Sequence, residues 1–186
     1  MKSTPEPSRA DALRRAFRER PFSTLLSTGF GSGLVPLAPG TAGSLVALVL
    51  AAGAVRALAP SHGASISAAV GLLASGLATA AIAVPLTTRT SRAMGMKDPG
   101  AIVLDEFAGQ FIACAAVPLF AYSSGAREAV AWVVSFLAFR IFDVWKPGPI
   151  RRVQQLPEGL GIVIDDVLAG GLAAGLTVLV GGALGS

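Results

Sequence analysis

Five apolar runs, near residues 41–59, 64–88, 106–122, 129–145 and 160–184, fill most of this 186-residue chain and decide the solvent it folds in. Each approaches the ~20 residues that a helix needs to cross the hydrocarbon core of a bilayer, with the third and fourth short. With 53% hydrophobic and 14% charged residues and a mean hydropathy of +0.66, the chain is too apolar for a soluble domain of its size. In lipid the backbone must satisfy its own hydrogen bonds, and these Ala/Leu/Val/Gly runs lack the alternation of a barrel strand. The expectation is an all-α, polytopic membrane bundle of about five spans. A four-span version stays open, in which the third run only dips into the membrane around Pro118. Residues 1–20 form a separate basic segment, and 21–186 form the membrane-embedded domain.

In that basic segment Arg9, Arg14, Arg15, Arg18 and Arg20 surround a small apolar stripe of Ala12, Leu13, Ala16 and Phe17. The pattern predicts a short helix lying on an anionic membrane surface. The stretch Gly29 to Pro39, broken by three glycines and two prolines, does not continue it as the apolar core of a signal peptide. With a cytoplasmic N-terminus, five spans put Lys2, the N-terminal arginines, Arg89, Arg92, Lys97, Arg140, Lys146, Arg151 and Arg152 on the cytoplasmic side. Only Arg56 and Arg127 fall opposite, as the positive-inside rule asks. The sequence pI near 10.0 does not point to nucleic acid, because the basic residues flank apolar spans and form no aromatic-interleaved patch.

One short phrase occurs twice, as Ile102-Val103-Leu104-Asp105-Glu106 and Ile162-Val163-Ile164-Asp165-Asp166, followed by Ala108-Gly109 and Ala169-Gly170. A carboxylate in hydrocarbon costs on the order of 2.5 kcal/mol or more, so four of them require a function beyond capping helices at the water surface. The predicted topology brings Asp98, Asp105, Glu106, Asp143, Asp165 and Asp166 to the cytoplasmic face together. Soft ligands are missing there: His62, the only histidine, falls in a far-side loop and is assigned no role, and Cys114 lies within a span. A metal held by Asp105, Glu106, Asp143, Asp165 and Asp166 is therefore a hard cation such as Mg²⁺ or Mn²⁺. Carboxylates so crowded need that counter-charge to remain ionised.

Between the last two runs Arg140 and Asp143 stand three apart and share a helix face. Pro147 and Pro149 end that helix and leave Lys146 at its terminus, with Trp145 at interfacial depth. Beside the carboxylates, this segment is the expected cationic wall of an anion site, with Arg151 following. Before the first run, Gly29 to Ser44 is rich in glycine, proline and hydroxyls. It has two readings, close helix packing or phosphate binding at a helix start, and in the second Gly40, Thr41 and Ser44 face substrate. The step Gly171-Leu172-Ala173-Ala174-Gly175 reads as a close helix contact, and span five as a surface for a homo-oligomer.

The motifs P-G-T-x-G-S from Pro39, I-V-x-D-E from Ile102, F-R-x-x-D-x-x-K-P-x-P-I from Phe139 and G-x-G-I-x-x-D-D from Gly159 together resemble the phosphatidylglycerophosphatase A family, in that family's order. One departure is Pro157-Glu158-Gly159, where members often carry His-Gly-Gly. The resemblance implies a Mg²⁺-dependent phosphatase of the bacterial inner membrane that converts phosphatidylglycerophosphate to phosphatidylglycerol. The residues suit that chemistry: Asp105, Asp143 and Asp165 as catalytic carboxylates, with Arg140 and Lys146 neutralising the phosphoryl group. Water attack on a metal platform is preferred, and a phospho-aspartyl intermediate on Asp105 or Asp165 remains the other route. Cys114 lacks the arginine-bearing loop of a cysteine phosphatase. A divalent-cation or proton-coupled transporter is the rival reading, but it needs acids at mid-membrane, and here each pair lies near one end of its span.

Overall fold

The computed structural model describes residues 8–58, 65–120 and 125–184, and all regular structure among them is helical. The helices are α1 (Arg9–Glu19), α2 (Pro21–Ser27), α3 (Pro39–Leu58), α4 (Ile66–Met94), α5 (Leu104–Cys114), α6 (Gly125–Trp145), α7 (Gly148–Val153) and α8 (Glu158–Ala183). Several helix ends have a local cause. The Ser8 hydroxyl accepts from the Asp11 amide to cap α1, and Pro21 opens α2 at a position where a missing N–H costs nothing. Gly95 closes α4 in the left-handed region at φ 68°. Between α2 and α3 the chain turns through Gly29, Phe30 and Gly31, all at positive φ, into a 3₁₀ turn spanning Gly29–Leu34.

α3, α5 and α8 begin at one end of the bundle, where α4 and α6 finish. The opposite end is tied by the Ser65 amide on the Pro118 carbonyl, Arg127 on the Gly181 carbonyl, and Arg56 3.9 Å from Glu128. Among the described residues three helices are long and apolar enough to cross a membrane: Pro39–Ala57 of α3, Ile66–Met94 of α4 and Gly159–Ala183 of α8. They leave Val49 and Leu50, Val70 and Ile82, and Leu172 and Leu179 exposed, an apolar exterior that suits lipid and not water.

The other two expected spans are not among these three. The run 106–122 divides into the 11-residue α5 and a 3₁₀ turn at Val117–Leu119, and α5 alone rises about 17 Å. Its apolar residues are used inside the protein: Phe107, Ala108, Ile112, Ala113 and Cys114 are buried among the neighbouring helices. The run 129–145 lies in α6, whose 21 residues are long enough but carry Arg127, Glu128, Arg140 and Asp143 toward the ends. In the stripe of α1, Ala12 and Ala16 pack on Ala93 and Met94 at the end of α4, with Leu13 partly buried beside them.

α5 and α8 meet through the glycines of the repeated phrase. A Cβ on Gly170 would collide with the Gly109 carbonyl oxygen, and one on Gly109 with the Phe139 ring and the Asp166 carbonyl. No larger residue lets these backbones approach so closely. Gly171 and Gly175, the expected contact step, have open space around them within the chain.

Candidate active site

The Gly109–Gly170 contact sets the heads of the two phrases against each other. Asp105 and Glu106 lie in the first turn of α5, Asp166 lies about two turns into α8, and an oxygen from each falls within 4.8 Å of the others. Asp105 Oδ1, Glu106 Oε2 and Asp166 Oδ2 are buried without a hydrogen-bond partner. Buried charge is retained where it is paired or coordinates a metal, and three convergent carboxylates, each with an orphan oxygen, are what a hard cation would satisfy.

Asp143 and Asp165, the other two expected ligands, border the same cavity as this cluster, and each is held by a cation. Arg140 Nη1 donates to Asp143 Oδ2 at 2.8 Å and to the Ser44 hydroxyl at 3.3 Å, and that hydroxyl donates to the Gly40 carbonyl at 2.8 Å. Lys146 Nζ donates to Asp165 Oδ2 at 2.5 Å and lies 3.9 Å from Asp143 Oδ1. Its backbone sits at φ 48°, in the left-handed region, immediately before Pro147. For a side chain other than glycine this costs on the order of 1–3 kcal/mol, and it accompanies the placement of the ammonium on Asp165. Burial pulls the Lys146 pKa down, but the Asp165 hydrogen bond and the charges of Asp165, Asp143 and Asp166 outweigh it and raise it above the ordinary lysine value. Lys146 therefore stays an ammonium at neutral pH.

Both groups open onto one cavity of about 280 Å³. Gly40 and Thr41 line it with the carboxylates, so two of the three expected loop residues reach it, and Ser44 meets Arg140. A Cβ on Gly40 would strike Glu106 Oε1 and lie 3.2 Å from Arg140 Nη2, so a larger residue there would shift both side chains. Arg151 does not line this cavity. It borders a neighbouring one of about 340 Å³ with Lys97 and Gln154. Cys114 is buried under Gln110 and Ser135, away from the cavity, and His62 lies outside the described residues. One participant went unread in the sequence, and another was given no role there. Gln154 donates to Asp165 Oδ2 at 3.0 Å, and Asp98, noted only as one of the converging acids, lines the cavity. Gln154 carries neither charge nor motif to mark it.

The family model for Phosphatidylglycerophosphatase A matches residues 25–181, from α2 almost to the end of α8, and takes in every residue of the cavity. The chain belongs to the phosphatidylglycerophosphatase A family. Curated relatives agree. It is 38% identical over 159 residues to the phosphatidylglycerophosphatase A of Escherichia coli, covering 84% of this chain and 82% of that one. It is 40% identical over 150 residues to the phosphatidylglycerophosphatase A of Haemophilus influenzae, covering 78% and 80%. A Bacteroides thetaiotaomicron protein with the provisional name phosphatidylinositol-3-phosphatase is 35% identical over 153 residues, covering 78% and 85%. No solved structure matches the chain significantly. Membership in the phosphatidylglycerophosphatase A family makes this chain a phosphatase, and α1 lies outside the matched region.

Proposed function

We propose that this chain hydrolyses phosphatidylglycerophosphate to phosphatidylglycerol and inorganic phosphate, with Mg²⁺, at the cytoplasmic face of a bacterial inner membrane. The observation that carries the reading is one cavity lined both by Asp105, Glu106 and Asp166, each with an orphan carboxylate oxygen, and by Arg140 and Lys146. Asp105, Glu106 and Asp166 would hold the metal, with Asp143 and Asp165 beside them. When bound, it supplies Lewis acidity toward the phosphoryl group and lowers the pKa of water.

The protein's own groups do the rest. Arg140 uses Nη1 on Asp143 and Ser44, which leaves further guanidinium N–H groups for phosphoryl oxygens. Lys146 keeps its positive charge beside the same cavity. Water adds to phosphorus, the bond to the glycerol oxygen breaks, and that oxygen leaves as a primary alcohol. The site lies at one end of the bundle, so a headgroup can enter while its acyl chains stay in lipid beside α3, α4 and α8. We place α6 and α5, the latter continued by the Val117–Leu119 turn and enclosed by its neighbours, at membrane depth with them, so that the chain passes through the bilayer five times. The basic residues gathered at the site end support a cytoplasmic orientation. The position of the acids weighs against a transporter, since the described parts of α3 and α4 hold none and those of α8 lie toward its start.

Purified protein in detergent is expected to release inorganic phosphate from phosphatidylglycerophosphate, to stop with excess chelator and to recover with Mg²⁺ or Mn²⁺. Full activity in excess chelator, or no release at all, would sink the assignment. Arg140→Ala is expected to lower kcat/KM by roughly 10- to 100-fold, the worth of a charged hydrogen bond. Arg140→Lys should recover part of this, because it keeps the charge but not the fork. Kinetics alongside Mn²⁺ binding decide the role: lost metal binding with unchanged KM would make Arg140 a partner of Asp143 only.

A further inference from the structure

The cavity lined by Lys97, Arg151, Gln154 and Gln155 is not separate from the catalytic one. Asp98 and Ile162 line both, so the two volumes adjoin across a single wall. Gln154 couples them a second time, bordering the outer cavity while its Nε2 donates to Asp165 Oδ2 in the inner site. Neither Lys97 nor Arg151 has an ion-pair partner among the described residues. The arrangement is a second, cationic, amide-lined cavity next to the first, with one acid on the shared wall.

Resting on the proposed function, we infer that this outer cavity holds the phosphodiester of the same headgroup whose phosphomonoester occupies the inner one. A phosphatidylglycerophosphate headgroup carries those two phosphates on a glycerol whose central hydroxyl is free. Lys97 and Arg151 face the diester, and Gln154 and Gln155 offer amide N–H donors. Asp98 has the chemistry for what lies between: an acid flanked by two anions repels both, and is useful where a hydroxyl donates to it. The site thereby measures two phosphates at glycerol spacing. A lipid with one phosphate engages the inner cavity alone.

Equilibrium binding to the Mg²⁺-supplied protein in neutral detergent, without anionic lipid, tests this with soluble probes: inorganic phosphate, glycerol 1,3-bisphosphate and propane-1,3-diol bisphosphate. Glycerol 1,3-bisphosphate is expected to bind at least about 10-fold more tightly than inorganic phosphate. The double variant Lys97→Ala/Arg151→Ala should erase that preference while holding inorganic phosphate as the wild type does, which also reports that the inner site is folded. Asp98→Ala should remove the preference for the hydroxyl-bearing bisphosphate over the propanediol compound. Equal binding of phosphate and bisphosphate by the wild type, or a double variant that keeps the preference, overturns the proposal. A double variant that weakens both probes equally also overturns it, and an unchanged hydroxyl preference in Asp98→Ala removes Asp98 from it. Wild-type protein that shows the preference but frees no phosphate from phosphatidylglycerophosphate would defeat the enzymatic reading and leave the second anion site standing.

Discussion

Asp166→Asn, Glu106→Gln and Asp105→Asn are each expected to cut phosphate release on the order of 10³-fold, the size of losing one preorganised electrostatic partner, and yet to raise the thermal stability of the metal-free protein. Both effects have one cause. Two unit charges 4.8 Å apart repel by roughly 3 kcal/mol at an effective dielectric of 20, and none of the ion pairs among the described residues reaches the cluster, Arg140 and Lys146 being paired with Asp143 and Asp165. Neutralising one member relieves that repulsion and removes a ligand, an exchange of activity for stability common at functional sites. Asp143→Asn and Asp165→Asn should behave differently, because each strips a partner from a half-buried cation and so lowers stability. Thermal unfolding with chelator and with excess Mg²⁺ separates the classes. The three cluster variants should melt higher than wild type in chelator and lose most of the Mg²⁺-induced rise. A cluster variant that keeps the full rise, or full turnover, would refute the ligand set.

Which features of this protein could be read from its residues follows from what each depends on. Helical class and lipid exposure depend on composition, and α3, α4 and α8 lie close to the predicted runs. α5 could not be separated from them by the same criterion, because protein interior and hydrocarbon are both apolar. Its role as a core helix is set by the Gly109–Gly170 contact, which a linear pattern of small residues does not locate; the same pattern made Gly171 and Gly175 look equally suitable. The gathering of acids at one end was legible, since it needed only alternating helix direction. Their division into three unpaired and two paired was not. It depends on helix rotation and on the left-handed backbone of Lys146, and neither is written as a motif. Arg151 was expected in the cavity on charge, whereas the uncharged Gln154, just past the end of the six-residue α7, makes the contact with Asp165.

Two adjacent glycines of α8 are expected to give opposite results on the same substitution. Gly170→Ala puts a methyl group into the Gly109 carbonyl oxygen, which is backbone and cannot swing aside. Overpacking of this kind costs typically 1–3 kcal/mol, and here it also forces α5 from α8. That gap separates Asp105 and Glu106 on one helix from Asp166 on the other, so turnover and Mg²⁺ affinity should fall together, beyond the loss of stability. Gly171→Ala meets open space and replaces a poor helix former with the best, so it should leave activity unchanged and add up to about 1 kcal/mol within the helix. Composition, hydropathy and membrane insertion are matched between the two variants, so a difference between them isolates the close contact. Should Gly170→Ala keep wild-type turnover and melting, the α5–α8 approach is not what assembles the carboxylates. Should Gly171→Ala prove as damaging as Gly170→Ala, the open face of α8 is covered in the working enzyme, and the expected homo-oligomer through that span becomes the next thing to test, by crosslinking in the membrane.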